Sequence, residues 1–354
     1  MSAPAIAIAG GGTGGHLMPG LAVARALQAA GAGPIAFIGT TRGLEARWVP
    51  AAGFELHPIA IGGLKSGSAA RRLASLAQIP RAVAQSAGVL RRMRAAVVFG
   101  IGGYASGPAL AAAALLRRPV VVLEVNARTG LANRWASRWV STAAVNFPQT
   151  GHDFRRAVVT GVPVRPEFFL SRRSAPGVGS QVLVTGGSQG AHALNQAVAA
   201  MAPRASFRML HQTGAADLEA CRAAYAGLGG RAEAAAFIED MAGAMSSADL
   251  VVCRSGASTL GELAALGKAA ILVPFPGAAD QHQLHNAQAY AQAGAAVLLE
   301  QTQLSPERLA ETIAALLAAP ERLAAMGAAA RQFAHPRAAE EIAALVLGAA
   351  RSGR

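Results

Sequence analysis

Four clusters of residues with chemical potential stand in this chain, three directly after a short apolar run and the fourth a few residues beyond one, past Pro274-Phe275-Pro276-Gly277. The first reads Gly10-Gly11-Gly12-Thr13-Gly14-Gly15-His16, in which Gly10, Gly12 and Gly15 satisfy G-x-G-x-x-G. Glycines at that spacing let backbone N–H groups and a helix N-terminus approach phosphate oxygens with no Cβ in the way. A dinucleotide site also needs an acidic residue at the end of the second strand to hold ribose, and the sequence there is Gly39-Thr40-Thr41-Arg42. A P-loop needs Lys where His16 stands. What remains is a phosphate or pyrophosphate cradle, or a tight structural turn. His16 at a helix start is placed to take or orient a proton, and equally to cap the helix.

The second cluster, Gly186-Gly187-Ser188-Gln189-Gly190, is a turn of the same kind far along the chain. Two such turns at equivalent points say more than one, because doubly wound sheets bind ligands at the C-terminal ends of their strands. The third, Cys253-Arg254-Ser255-Gly256-Ala257-Ser258-Thr259, opens a helix that contains Glu262. Small residues at a helix N-terminus suit a diphosphate at roughly 0.3 to 1 kcal/mol per contact. Glu262 can accept from both ribose hydroxyls, or serve as a solvated helix carboxylate. The fourth, Asp280-Gln281-His282-Gln283-Leu284-His285-Asn286, has the amides and imidazoles to bind sugar hydroxyls. As a metal site its i, i+3 His pair lacks a third good ligand, so no metal is expected.

The elements that must carry these clusters alternate. Apolar runs near Ala5–Ala9, Pro34–Gly39, Glu55–Ile59, Ala95–Phe99, Pro119–Leu123, Ser141–Val145 and Ala157–Thr160 read as strands buried on both faces. Helical stretches are predicted at Pro19–Ala30, Ala69–Arg94, Pro108–Leu115 and Thr129–Arg138. The pattern repeats in the second half with strands near Val182–Thr185, Arg208–His211, Ala234–Ile238, Leu250–Val252, Ala270–Val273 and Ala296–Leu299. This predicts two doubly wound parallel α/β domains facing a central cleft. The turn-rich Gly161-Val162-Pro163-Val164-Arg165-Pro166 marks the boundary, giving domains 1–163 and 164–335, with 336–354 a terminal helix packing back on the first domain.

With 53% hydrophobic and 14% charged residues the chain has apolar surface for two cores and little of the composition of disorder. No apolar run reaches the ~20 residues of a membrane span. The first strand has no basic flank of the signal-peptide kind, so cytoplasmic residence is expected. Cys221 and Cys253 are too few for a disulfide framework and match no metal spacing. The net charge of +13 lies entirely in the first half, where residues 1–160 carry 17 Lys and Arg against Glu45, Glu55, Glu124 and Asp153. An anionic partner for that half is implied: nucleic acid, an anionic membrane or a phosphorylated substrate. Arg-rich genomic composition explains the choice of Arg over Lys better than it explains the placement.

Taken in order, GGTGGH with PGLAVA behind it, GGYASGP at Gly102–Pro108, GVPVR, GGSQGA, FIEDM at Phe237–Met241, CRSGAST with Glu262, and DQHQLHNA resemble the MurG family of bacterial peptidoglycan glycosyltransferases over nearly the whole chain. The resemblance implies a GT-B fold with acceptor in the first domain and UDP-GlcNAc mainly in the second. It implies an inverting transfer of N-acetylglucosamine to the 4-hydroxyl of the N-acetylmuramoyl residue of lipid I, giving lipid II, without a cofactor. Another GT-B nucleotide-sugar transferase with a different acceptor is the nearest alternative. Carried over by motif, donor contacts fall on Thr13, Gly14, Gly15, Asn126, Arg165, Ser188, Ile238, Ala257, Ser258, Thr259, Leu260, Gly261, Glu262 and Gln283, with Ile238 presenting backbone to uracil. His16, Tyr104, Glu124 and Asn286 match positions tied to acceptor binding or catalysis, with His16 or Glu124 as base. The resemblance also implies a peripheral position on the cytoplasmic face of the bacterial inner membrane. Two departures stand out: Leu123-Glu124-Val125-Asn126 replaces the family's HEQN, and Val162 replaces the Asn of GNPVR.

The stretch Ala69–Arg94 sets Leu73, Leu76, Val83 and Leu90 at near-helical spacing beside six arginines. That composition fits a helix resting on anionic lipid, and fits a core helix with a solvated basic face as well. An NADP-linked oxidoreductase using Arg42 leaves the second-domain clusters unexplained. Sparse aromatics and no recognition motif argue against a nucleic-acid partner.

Overall fold

The computed structural model describes residues 3–12, 14–62, 77–171 and 180–352. The chain divides into two units, Met1–Pro163 with Arg337–Arg354, and Val164–Pro336.

The first unit is a parallel sheet of β1 (Ile6–Gly10), β2 (Ile35–Gly39), β3 (Glu55–Pro58), β4 (Val97–Gly102), β5 (Val120–Glu124), β6 (Thr142–Val145) and β7 (Ala157–Val159), in the order β3-β2-β1-β4-β5-β6-β7. Ile6 pairs with Ile35 on one side and Val97 on the other. The central strands are wholly buried, which is why their sequences run apolar without alternation. Between them lie α1 (Gly14–Ala29), α2 (Glu45–Ala51), α3 (Ile79–Arg92), α4 (Ser106–Leu115) and α5 (Leu131–Ala136).

The second unit holds β8 (Gln181–Thr185), β9 (Arg208–Gln212), β10 (Ala232–Ala235), β11 (Leu250–Cys253), β12 (Ala270–Leu272) and β13 (Ala296–Leu298), ordered β10-β9-β8-β11-β12-β13 and again parallel. Its helices are α6 (Glu167–Leu170), α7 (His192–Met201), α8 (Leu218–Tyr225), α9 (Met241–Ser247), α10 (Ala257–Leu266), α11 (His282–Gln292), α12 (Pro306–Leu317) and α13 (Pro320–Arg331). Val182, Val184, Leu250, Val252 and Ile271 form its core with Leu194, Val198, Leu309 and Ile313 from the helices.

The last helix, α14 (Ala338–Ser352), belongs to the first unit and packs on α1 and β4–β6. Its buried Ala338, Ile342, Ala343, Val346 and Ala350 form one apolar stripe. Glu340 and Glu341 in its first turn suit the positive end of the helix dipole.

Three elements differ from the sequence expectation. α1 begins at Gly14 rather than Pro19, so Pro19 lies inside the helix, where it costs one backbone hydrogen bond. β10 ends at Ala235 rather than Ile238, because the Ile238 N–H donates to the Gln212 side chain instead of extending the ladder. Of the stretch Ala69–Arg94, residues 69–76 lie outside the described residues. Over α3 the apolar face, with Ala82, Ala87, Val89 and Leu90, is packed into the core, leaving Arg81, Arg91 and Arg92 exposed. Among the described residues no single helix is long and apolar enough to cross a membrane.

Candidate active site

Each sheet reverses its strand order once, between β1 and β4 in the first and between β8 and β11 in the second. At such a reversal the flanking connections leave in opposite directions and open a crevice at the C-terminal strand ends. Three of the four connections at the two reversals begin with clusters singled out by residue type, and the one after β4 begins with the Gly102–Pro108 motif of the family resemblance.

In the first unit, the turn after β1 and the turn after β4 interlock. A Cβ on Gly102 would stand 2.9 Å from His16 Nδ1, and one on Gly12 would stand 3.4 Å from the Tyr104 ring. His16 lies in the first turn of α1 and is half-buried, as is Tyr104. Gly14 and Gly15 supply the first amides of α1; Thr13 lies outside the described residues. Two other amides of the turn are committed internally: Gly11 N–H to the Gly102 carbonyl (3.4 Å) and Gly12 N–H to Glu45 Oε2 (2.8 Å).

Glu124 ends β5 and is buried. Its carboxylate accepts from Gly130 N–H (2.8 Å), Asn133 Nδ2 (3.0 Å), Asn126 N–H (3.1 Å) and Asn126 Nδ2 (3.4 Å). Burial pushes its pKa up, and those four donors pull it back. The flanking Leu123 and Val125 are buried at 1% and 2% exposure, so their apolar side chains leave no orphaned polar group. Val162 is buried too.

In the second unit, the turn after β8 is clamped by Gln212, which donates to the Gly187 carbonyl (3.0 Å) and Thr185 Oγ1 (3.1 Å) and accepts from Ile238 N–H (2.9 Å). Ser188 stands exposed at the tip of that turn. Ile238 thus keeps its carbonyl, not its N–H, for an added ligand. After β11, α10 starts at Ala257, with Ala257, Ser258 and Thr259 as its first residues. Leu260 and Gly261 are buried in the helix body, so of these two only backbone groups are placed to meet a ligand. Glu262 is enclosed, with 19% of its side chain exposed, and Arg165 Nη2 lies 3.7 Å from its Oε1. Burial lifts its pKa to about 7 against the pull of Arg165. Arg165 also pairs with Glu167 at 3.1 Å and lies over the Phe168 ring.

The segment before α11 is strained: Asp280 and Gln281 both take φ of 53°. For non-glycine residues that costs on the order of 1–3 kcal/mol each. Gln283 accepts from Phe275 N–H (3.0 Å), and its carbonyl accepts from Ser255 Oγ (2.7 Å). Asn286 is wholly buried and donates to the Ser255 carbonyl (3.1 Å), which ties α11 to the turn after β11.

The first unit therefore carries His16, Tyr104, Gly14, Gly15, Glu124 and Asn126, of which His16, Gly14, Gly15 and Tyr104 share the interlocked turns, and the second carries Ser188, Ile238, Arg165, Ala257, Ser258, Thr259, Glu262, Gln283 and Asn286. Sequence reasoning missed three residues that hold these turns. Glu45 sits beyond the end of β2, where an acid was sought only at Gly39–Arg42. Gln212 closes β9 with nothing local to mark it. Arg254 was read only as part of a turn, yet it is 9% exposed and donates to the carbonyls of Val273 and Pro274, both at 3.0 Å.

Known families supply a second line of observation. The glycosyltransferase family 28 N-terminal domain matches residues 6–145, and the family 28 C-terminal domain matches residues 181–342. The chain belongs to glycosyltransferase family 28. Each family 28 half thus takes in one sheet reversal with its glycine turn. A relative from Solibacter usitatus, named UDP-N-acetylglucosamine--N-acetylmuramyl-(pentapeptide) pyrophosphoryl-undecaprenol N-acetylglucosamine transferase, is 45% identical over 99% of this chain and 97% of its own. One of the same name from Anaeromyxobacter dehalogenans is 46% identical over 95% and 90%. Crystalline MurG of Acinetobacter baumannii superposes with a TM-score of 0.83 at 33% identity, over 97% of this chain and 99% of that one. A kitacinnamycin glycosyltransferase shares the fold at 17% identity and a TM-score of 0.72. The family 28 chain is accordingly a GT-B glycosyltransferase.

Proposed function

We propose that this chain transfers N-acetylglucosamine from UDP-GlcNAc to the 4-hydroxyl of the N-acetylmuramoyl residue of lipid I, producing lipid II and UDP. The carrying observation is the 45% identity, over 99% of the chain, to a relative named for that reaction. The geometry supplies groups suited to each step. Glu262 accepts from the ribose hydroxyls, and the Ile238 carbonyl accepts from the N3–H of uracil. Arg165 and the first amides of α10 face the diphosphate, where fixed dipoles stabilise the charge that develops as UDP departs. Among the described residues no group of three or more His, Cys, Asp or Glu is arranged to hold a metal ion.

The acceptor oxygen attacks C1 of the sugar from the face opposite UDP. The C1–O bond forms as the C1–O bond to phosphate breaks, inverting α to β, and the hydroxyl proton goes to His16. Glu124, ringed by four donors, keeps the loop of Asn126 in place instead of taking the proton. The exposed arginines of α3 suit the anionic cytoplasmic membrane surface on which lipid I resides. UDP release measured with a lipid I analogue is expected to require both substrates and to fall at least tenfold with UDP-GalNAc. Equal release without acceptor would show a hydrolase instead.

A further inference from the structure

Glu45 is the first residue of α2, and it is wholly buried at 0% exposure. Its two carboxylate oxygens divide their partners. Oε2 accepts from Gly12 N–H at 2.8 Å, while Oε1 accepts from Thr40 N–H at 3.0 Å and Thr40 Oγ1 at 2.7 Å. Thr40 is fixed in turn, its Oγ1 accepting from Gly43 N–H at 3.2 Å. A buried carboxylate needs such donors to remain in place, and charged acceptors make the stronger hydrogen bonds.

The space around it is made by missing side chains. A Cβ on Gly11 would lie 2.6 Å from Glu45 Cδ, one on Gly39 would lie 2.8 Å from Cγ, and one on Gly43 would lie 2.1 Å from Oε2. Glycines from the turn after β1, and from the end of β2 and the connection that follows it, thus form a niche the shape of this side chain. On its far side the same turn abuts the connection after β4: a Cβ on Gly103 would stand 2.3 Å from the Gly11 carbonyl oxygen. Gly12, the residue that Glu45 holds, lies against the Tyr104 ring, and α1 with His16 begins at Gly14.

We propose that Glu45 is a positioning residue, whose carboxylate locks the first glycine turn and so sets His16 and Tyr104 in the geometry that transfer requires. It rests on the proposed function, in which His16 takes the acceptor proton. A misplacement of the base by a fraction of an ångström slows chemistry while leaving the donor groups of the second unit untouched. Glu45 acts through the turn and touches no substrate.

Four variants test this: Glu45→Ala, Glu45→Gln, Gly43→Ala and the double variant Gly43→Ala/Glu45→Ala. Glu45→Ala is expected to lower kcat at least tenfold, with Kd for UDP, whose proposed contacts lie in the second unit, within twofold. Glu45→Gln keeps one acceptor oxygen, enough for Gly12 or for Thr40 but not both, and is expected to fall between. Gly43→Ala drives a methyl against Oε2 without changing any charge and is expected to lower kcat as well. In the Glu45→Ala background its clash has no target, so its further effect is expected to stay below twofold. The proposal is overturned if Glu45→Ala keeps kcat within twofold of the parent, or if the two single effects multiply in the double variant. Should Glu45→Ala fail to fold, Glu45→Gln and Gly43→Ala carry the same kcat criterion. If the parent transfers no sugar at all, the proposed function fails and the lock is read from hydrogen exchange at the Gly12 amide. Slow exchange in the parent and fast exchange in Glu45→Gln support it; fast exchange in both overturns it.

Discussion

A general base needs a lone pair that substrate can reach, and the Glu124 carboxylate already faces donors from Gly130, Asn126 and Asn133. His16 is half-buried beside the turn after β4 and is the base in the proposed mechanism. His16→Ala is expected to lower kcat by about 10² to 10⁴. Glu124→Gln places an amide N–H against a donor and is expected to cost about 1–3 kcal/mol of stability, with a smaller loss of kcat than His16→Ala. A larger loss of kcat in Glu124→Gln than in His16→Ala would exchange the two roles. Glu262 sets a different pH dependence. Its pKa of about 7 lies above the ordinary 4.5, so the unliganded protein holds a proton there that the unfolded chain has released. Its burial therefore costs stability progressively as pH rises from 4.5 through about 7. In the proposed donor site, ribose hydroxyls donate to the carboxylate and favour its charged form. UDP affinity, measured by calorimetry, is expected to rise with pH toward about 7 and level off above it, by at most about tenfold per pH unit. Glu262→Gln should bind more weakly and with a flat profile; an unchanged slope would remove Glu262 from the donor site.

All thirteen described strands stand close to where the apolar runs place them, because parallel strands buried on both faces must be apolar throughout. The first three clusters were legible for the same reason: each begins where a buried strand stops. What the sequence hid are contacts between distant segments. Nothing local in Leu44-Glu45-Ala46 says that the carboxylate turns inward toward Gly12, 33 residues earlier. Pro19 misdirected the start of α1, since proline usually opens a helix and here sits within one. Periodicity left α3 open between a membrane face and a core face, and packing assigns its apolar side to the core. Any lipid contact of α3 then rests on its arginines alone, at about 1 kcal/mol each near an anionic surface. Flotation with anionic vesicles is expected to weaken sharply from low to high salt and to drop further in Arg81→Glu/Arg91→Glu/Arg92→Glu. Binding that is indifferent to both would place the membrane contact elsewhere.

Across the whole chain, the excess of positive charge falls in residues 1–160, the half proposed to meet a pyrophosphate-linked lipid at an anionic surface. The second half balances its charges and concentrates polar groups around the turn after β11 instead, as suits a small soluble donor. Neither half needs an unusual fold for this. Each uses the same parallel sheet with one reversal of strand order, and differs in what its glycine turn is tied to: Glu45 in the first, Gln212 in the second. The most direct measurement offers UDP-GlcNAc carrying labelled N-acetylglucosamine together with a lipid I analogue, then isolates the lipid product and determines its new linkage by NMR. Label in the lipid, joined in the β configuration to the 4-position of the N-acetylmuramoyl residue, is the expected result. Label released as free sugar, or joined in the α configuration or at another hydroxyl, would contradict the account.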